Sequence, residues 1–140
     1  EIYTLSLHDA LPILVISSSL NAAHGDKVPA AEPFEGKVLT DGLNFPWEMV
    51  WGSDKQIWVT ERAGKNIRTI NPETGESRIL YTFNNAFVGP QHEGVLGLAL
   101  SPEFLSGKGK NYVYAAYTYK NEKDEEFARI VRLTYAKKSW

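Results

Sequence analysis

From Lys37 onward, short alternations of apolar and polar residues recur between turn residues, and this pattern predicts strands. Residues 37–40 (KVLT) form a brief strand, and Asp41-Gly42-Leu43-Asn44-Phe45-Pro46 turns the chain. Residues 47–51 (WEMVW) follow, then a tight turn at Gly52-Ser53-Asp54-Lys55. In 56–61 (QIWVTE), Ile57 and Val59 alternate with Trp58 and Thr60, a β-branched and aromatic composition suited to a pleated surface. Residues 66–71 (NIRTIN) place Ile67 and Thr69 on one face, Arg68 and Ile70 on the other. Asn71-Pro72-Glu73-Thr74-Gly75 is a turn in which Pro presets φ and Gly supplies a positive φ. Residues 77–83 (SRILYTF) close this first group. A second group comprises 94–100 (GVLGLAL), a turn at Ser101-Pro102-Glu103-Phe104, 111–119 (NYVYAAYTY) and 127–135 (FARIVRLTY). Gly97 inside its strand predicts close approach of another backbone. The charge run 120–126 (KNEKDEE) reads as a solvated hairpin loop. No segment shows the period of an amphipathic helix of useful length.

The two groups read as copies of one unit. Met49-Val50-Trp51, turn, Ile57-Trp58-Val59-Thr60 parallels Leu98-Ala99-Leu100, turn, Tyr112-Val113-Tyr114-Ala115, and Trp51 and Leu100 lie 49 residues apart. A four-stranded unit recurring at about 40–50 residues is the signature of a β-propeller blade. The expected fold class is therefore all-β, with residues 37–140 forming the first two blades of a truncated propeller. A ring needs about four blades or more, hence about 160 residues. A β-sandwich is the alternative for an isolated all-β chain. The propeller reading expects a sheet face of Val113, Ala115, Ile130 and Leu133 to lack its neighbour.

Residues 1–25 read as something other than fold. Residues 11–20 (LPILVISSSL) are followed by Asn21-Ala22-Ala23-His24-Gly25, like the end of a secretory signal peptide. The basic start of such a signal is missing, since residues 1–22 hold no Lys or Arg. Residues 4–13 (TLSLHDALPI) instead resemble the translation of a sequencing-library adaptor, so native sequence would begin near Leu14. Residues 26–36 (DKVPAAEPFEG) read as a linker. Together these suggest a periplasmic or secreted protein.

Composition narrows the chemistry. With 15 Lys+Arg against 17 Asp+Glu in 140 residues, the net charge of -2 offers no basic footprint for nucleic acid. A hydrophobic content of 43% is too high for a disordered chain. No apolar run reaches the ~18 residues of a membrane span. The absence of Cys removes disulfides, thiolate metal sites and Cys nucleophiles.

Two motifs carry a resemblance. Pro46-x-x-Met49-x-Trp51-Gly52-x-Asp54, then Ile57-Trp58-Val59-Thr60-Glu61-Arg62, is similar to the opening blade of the glucose/sorbosone dehydrogenase family. Gln91-His92-Glu93-Gly94-Val95-Leu96-Gly97-Leu98-Ala99-Leu100-Ser101-Pro102-Glu103-Phe104 resembles that family's Gly-Leu-Leu-Gly strand and following turn. The similarity runs from about Val38 to Tyr135. It implies a secreted propeller, six-bladed when whole, that uses pyrroloquinoline quinone and calcium to oxidise an aldose hydroxyl. It also implies that the catalytic His, the quinone contacts and the calcium ligands lie beyond Trp140, and it allows a homodimer of the full-length protein.

The candidate substrate-binding residues here are His92 and Gln91, in the loop before a buried strand. By resemblance, His92 stands where the family often has Gln and where the side chain meets the sugar. An imidazole there can donate or accept a hydrogen bond; the competing reading is a His that braces a neighbouring loop. Glu93 orients His92 or faces solvent. Glu61 and Arg62 read as an inter-blade ion pair, with Arg62 alternatively aimed at an acidic cofactor. Trp47, Trp51 and Trp58 read as blade packing rather than a sugar-stacking platform. Ser53, Asp54 and Thr60 form no nucleophile arrangement with His92. The other functional class open to this chain is a non-catalytic propeller that binds a carbohydrate or protein.

Overall fold

A computed structural model of the chain describes residues 33–136. The expectations for residues 1–25, and for most of the 26–36 linker, lie outside the described residues. The chain divides into Glu1–Glu35 and Gly36–Trp140, and the architecture below is that of the second unit.

Seven strands build two antiparallel sheets. β1 (Pro46–Trp51), β2 (Ile57–Glu61), β3 (Asn66–Ile70) and β4 (Ser77–Thr82) form a meander in sequence order. β5 (Val95–Leu100), β6 (Tyr112–Lys120) and β7 (Glu126–Thr134) form the second sheet in the same manner. Among the described residues no helix is long and apolar enough to cross a membrane. Turn chemistry sets the reversals. Asn71 Oδ1 accepts the N–H groups of Glu73 and Thr74, and Gly75 closes the turn at φ +75°. A Cβ on Gly75 would also overlap the carbonyl oxygen of Leu39. The charge run is a hairpin loop, as its composition suggests: Asn121 Oδ1 accepts from Lys123 and Glu125, and the charged side chains of 122–125 are exposed.

The core lies between the sheets. Trp58 and Ile67 from the first pack with Val95, Leu98, Val113 and Ala115 from the second. Trp58 is buried with its indole N–H satisfied by the Asp54 carboxylate at 3.1 Å, and Phe104 and Tyr135 meet its ring edge-on. β5 lies beside β1 and β2. Trp58, Val59, Thr60 and Glu61 are all buried, so β2 is covered on both faces, as a propeller blade requires.

Three expectations need correction. Residues 37–40 have strand composition but no partner ladder; Val38, Leu39 and Thr40, with Leu43, line a groove over Ile57, Val59 and Ile70 in the middle of the far face of the first sheet. Gly97 does not admit a neighbouring backbone, because a Cβ there would meet only the Ala116 Cβ at an ordinary 3.8 Å. It sits where the β5–β6 register shifts between Val95 and Leu98. Finally, Val113 and Ala115 are not left open. They pair with Leu133 and Val131 on the face that meets the first sheet, whereas Ile130 pairs with Ala116 on the opposite face and is 77% exposed.

Candidate substrate-contact loop

The segment 87–94 joins the two sheets and runs directly into β5. Gln91 and His92 stand together on it, both exposed. The His92 ring lies edge-on to Trp47 at 5.8 Å between centroids. Its nitrogens have no hydrogen-bond partner among the described residues. The site therefore presents an imidazole able to donate and accept, beside a half-exposed indole whose apolar surface suits the C–H face of a hydroxyl-rich ligand. Glu93 does not bond the His92 ring; its carboxylate accepts the Gln91 N–H at 3.0 Å. The N–H groups of Glu93 itself and of Gln91 hold that carboxyl below the usual carboxylate range.

Glu61 and Arg62 separate rather than pair. Glu61 is buried within the first sheet, where it accepts the Asn44 N–H at 2.7 Å and the Arg68 Nε at 3.2 Å. Burial acts to raise its pKa, but the Asn44 N–H, the Asn66 side chain and the Arg68 charge outweigh it and hold the carboxyl below its ordinary value. Arg62 reaches the 87–94 loop and donates to the carbonyl oxygens of Glu93 at 3.0 Å and Gly89 at 3.4 Å. Its guanidinium lies 4.9 Å over the Phe45 ring. The Arg62 side chain thus ties the end of β2 to the backbone of the loop, not to an acid. Neighbouring side chains on these elements are likewise committed: Ser53 donates to Phe104 O, Thr60 to Leu96 O, and Asp54 accepts from Trp58.

Trp47 lines the groove beneath Val38, Leu39 and Leu43. It also stands beside His92, because β1 begins at the same end of the fold as this loop. Its position directly after the Asn44-Phe45-Pro46 turn was the available signal. Thr118 was not singled out, although it binds both ends of the loop.

Two adjoining antiparallel meanders that share one core, Trp58 and Ile67 of the first against Val95, Leu98, Val113 and Ala115 of the second, are blades of a β-propeller. Residues 43–139 match the sequence model of the glucose/sorbosone dehydrogenase family, and the chain belongs to that family. It is 37% identical over 113 residues to quinoprotein glucose dehydrogenase B of Acinetobacter calcoaceticus, covering 76% of this chain and 23% of that protein. Its fold resembles the quinone-bound aldose sugar dehydrogenase of Streptomyces coelicolor with a TM-score of 0.61 and 27% identity, over 74% of this chain and 28% of that one. The soluble aldose sugar dehydrogenase of Escherichia coli, in its apo form, gives a TM-score of 0.60 at 21% identity, over 71% and 28% of the two chains. The chain thus spans about a quarter of the length of these relatives.

The carboxylates of pyrroloquinoline quinone call for accessible cations. Arg62, the cation beneath the loop, is 9% exposed and its donors face carbonyl oxygens. Among the described residues no cluster of three His, Asp or Glu side chains could hold a metal ion.

Proposed function

We propose that this chain is the N-terminal part of a secreted or periplasmic quinone-dependent dehydrogenase that oxidises an aldose hydroxyl. The family match over 43–139, at the level of a quinoprotein glucose dehydrogenase, carries this reading. In it, His92 and Gln91 bind and orient the sugar at the pocket mouth. The general base and the residues holding pyrroloquinoline quinone and calcium belong to later blades. The quinone supplies the redox chemistry that side chains lack. The signal-like pattern of residues 11–25 supports export.

The test is to recover the complete gene, load the protein with quinone and calcium, and follow dye reduction with a panel of aldoses. Turnover with aldoses, and none from residues 26–140 alone, is the expected outcome. A complete protein that binds sugar or protein but reduces no dye would establish the non-catalytic propeller instead.

A further inference from the structure

The loop that carries His92 is held from both sheets. On one side, the Thr118 hydroxyl uses both of its hydrogen-bonding roles: it accepts the Gly94 N–H at 2.7 Å and donates to the Phe87 carbonyl at 2.8 Å. The Thr118 backbone repeats the clamp, donating to Gly94 O at 3.0 Å and accepting from Phe87 N at 2.8 Å. Both ends of 87–94 are thereby tied to a single residue of β6. On the other side, Arg62 donates to Gly89 and Glu93, and its own carbonyl accepts the Val95 N–H at 3.2 Å. Gly94 has φ +149°, and a Cβ there would overlap the Arg62 carbonyl oxygen, so the two backbones are in direct contact. Pro90, Gln91 and His92 are the exposed tip between these anchors.

Arg62 makes no ion pair among the described residues. A buried guanidinium costs desolvation, and here its donors converge on the carbonyls of one loop. We propose that Arg62 and Thr118 are positioning residues that fix where His92 and Gln91 meet the sugar. This rests on the sugar-contact reading of the loop given above. Neither residue touches substrate. Each acts by holding the loop in one conformation, which lowers the ordering cost when a sugar binds.

The experiment uses the complete quinone-loaded enzyme with Arg62→Met, Thr118→Val and the conservative Arg62→Lys and Thr118→Ser. Two readouts are taken: steady-state kinetics over several aldoses, and amide hydrogen exchange across 87–95 compared with β2 and β3. The expected result for Arg62→Met and Thr118→Val is KM raised about 3–10-fold, with kcat within about twofold, the pattern of lost binding rather than lost chemistry. Exchange at Gly94 and Val95 should quicken about tenfold, while Trp58 and Ile67 amides hold their rates. Thr118→Ser should restore both readouts. If Arg62→Met fails to fold, Arg62→Lys and the Thr118 pair carry the comparison. An unchanged KM beside a loosened loop overturns the proposal. So does faster exchange that spreads to Trp58 and Ile67, which would make both residues merely structural. Wild-type enzyme that oxidises no aldose overturns the proposed function itself, and the exchange data still report whether these residues hold the loop.

Discussion

The Thr60 hydroxyl donates to the Leu96 carbonyl oxygen at 2.6 Å and pins the first sheet to the second. The Thr60 hydroxyl oxygen in turn accepts the Glu48 N–H at 3.1 Å. Both partners lie where a ladder is irregular: β1 shifts register between Pro46 and Met49, and β5 between Val95 and Leu98. A bulge leaves backbone groups without ladder partners, and one buried hydroxyl serves a group at each. Thr60→Val preserves shape and strands both groups away from water. It should cost about 1–3 kcal/mol, measured by chemical denaturation, whereas Thr60→Ser should recover most of the loss. A Val variant as stable as wild type would show that neither bond matters.

The strands from Trp47 to Tyr135 were legible because alternation and turn residues are local signals. Residues 37–40 show the limit: strand composition does not decide whether a segment runs along a sheet edge or, as Val38–Thr40 do, across a sheet face. The same limit applies to Thr60 and Leu96, 36 positions apart, whose contact depends on how two sheets stack. Val113 and Ile130 lie on opposite faces because the period of two runs across the β6–β7 pairing, where Ile130 opposes Ala116 rather than Ala115, and that register is not local to either strand. For the loop, His92 and Gln91 are candidates through motif resemblance, and their exposure on 87–94 agrees with a contact role. The charge of Arg62 is legible but its partners are not, since the backbone carbonyls of Gly89 and Glu93 leave no trace in side-chain patterns.

Glu61 predicts an acid-sensitive fold. Its folded pKa is depressed, so the native state binds fewer protons than the unfolded one. The resulting stability is complete above the unfolded Glu value of about 4.3. It is lost as pH falls from there through the lower folded value. Glu93 and Glu103 are shifted the same way, so the difference between wild type and Glu61→Gln isolates the buried group. The variant should be less stable by about 1–3 kcal/mol at neutral pH, with the gap narrowing below about pH 4. Parallel stability curves from pH 7 to pH 3 would contradict this.

His92 faces solvent with both ring nitrogens open to a ligand. In the complete enzyme, His92→Ala should raise KM for aldoses about 2–10-fold, the value of one hydrogen bond to a neutral sugar. Quinone affinity should change less. His92→Gln keeps a donor and an acceptor and should retain most of the affinity while altering preference among sugars. Identical KM values across the panel for wild type and His92→Ala would reduce His92 to a packing partner of Trp47.

The outer faces of the two sheets predict how the isolated chain behaves. Met49 pairs with Val59, Trp51 with Ile57 and Ile79 with Arg68, so all three lie on the face of the first sheet turned away from the core. They are 67%, 63% and 49% exposed. Ile130 stands on the outer face of the second sheet. Apolar side chains gathered on sheet faces, next to the unpaired edges of β4 and β7, favour pairing with other chains. Residues 26–140 expressed alone should therefore bind a hydrophobic dye and self-associate as concentration rises. Met49→Lys and Ile130→Lys lie at exposed positions, where stability changes are usually within about 0.5 kcal/mol. Together they should lower dye binding and shift the chain toward monomer in sedimentation velocity. Unaltered dye binding in the double variant would place the sticky surface elsewhere.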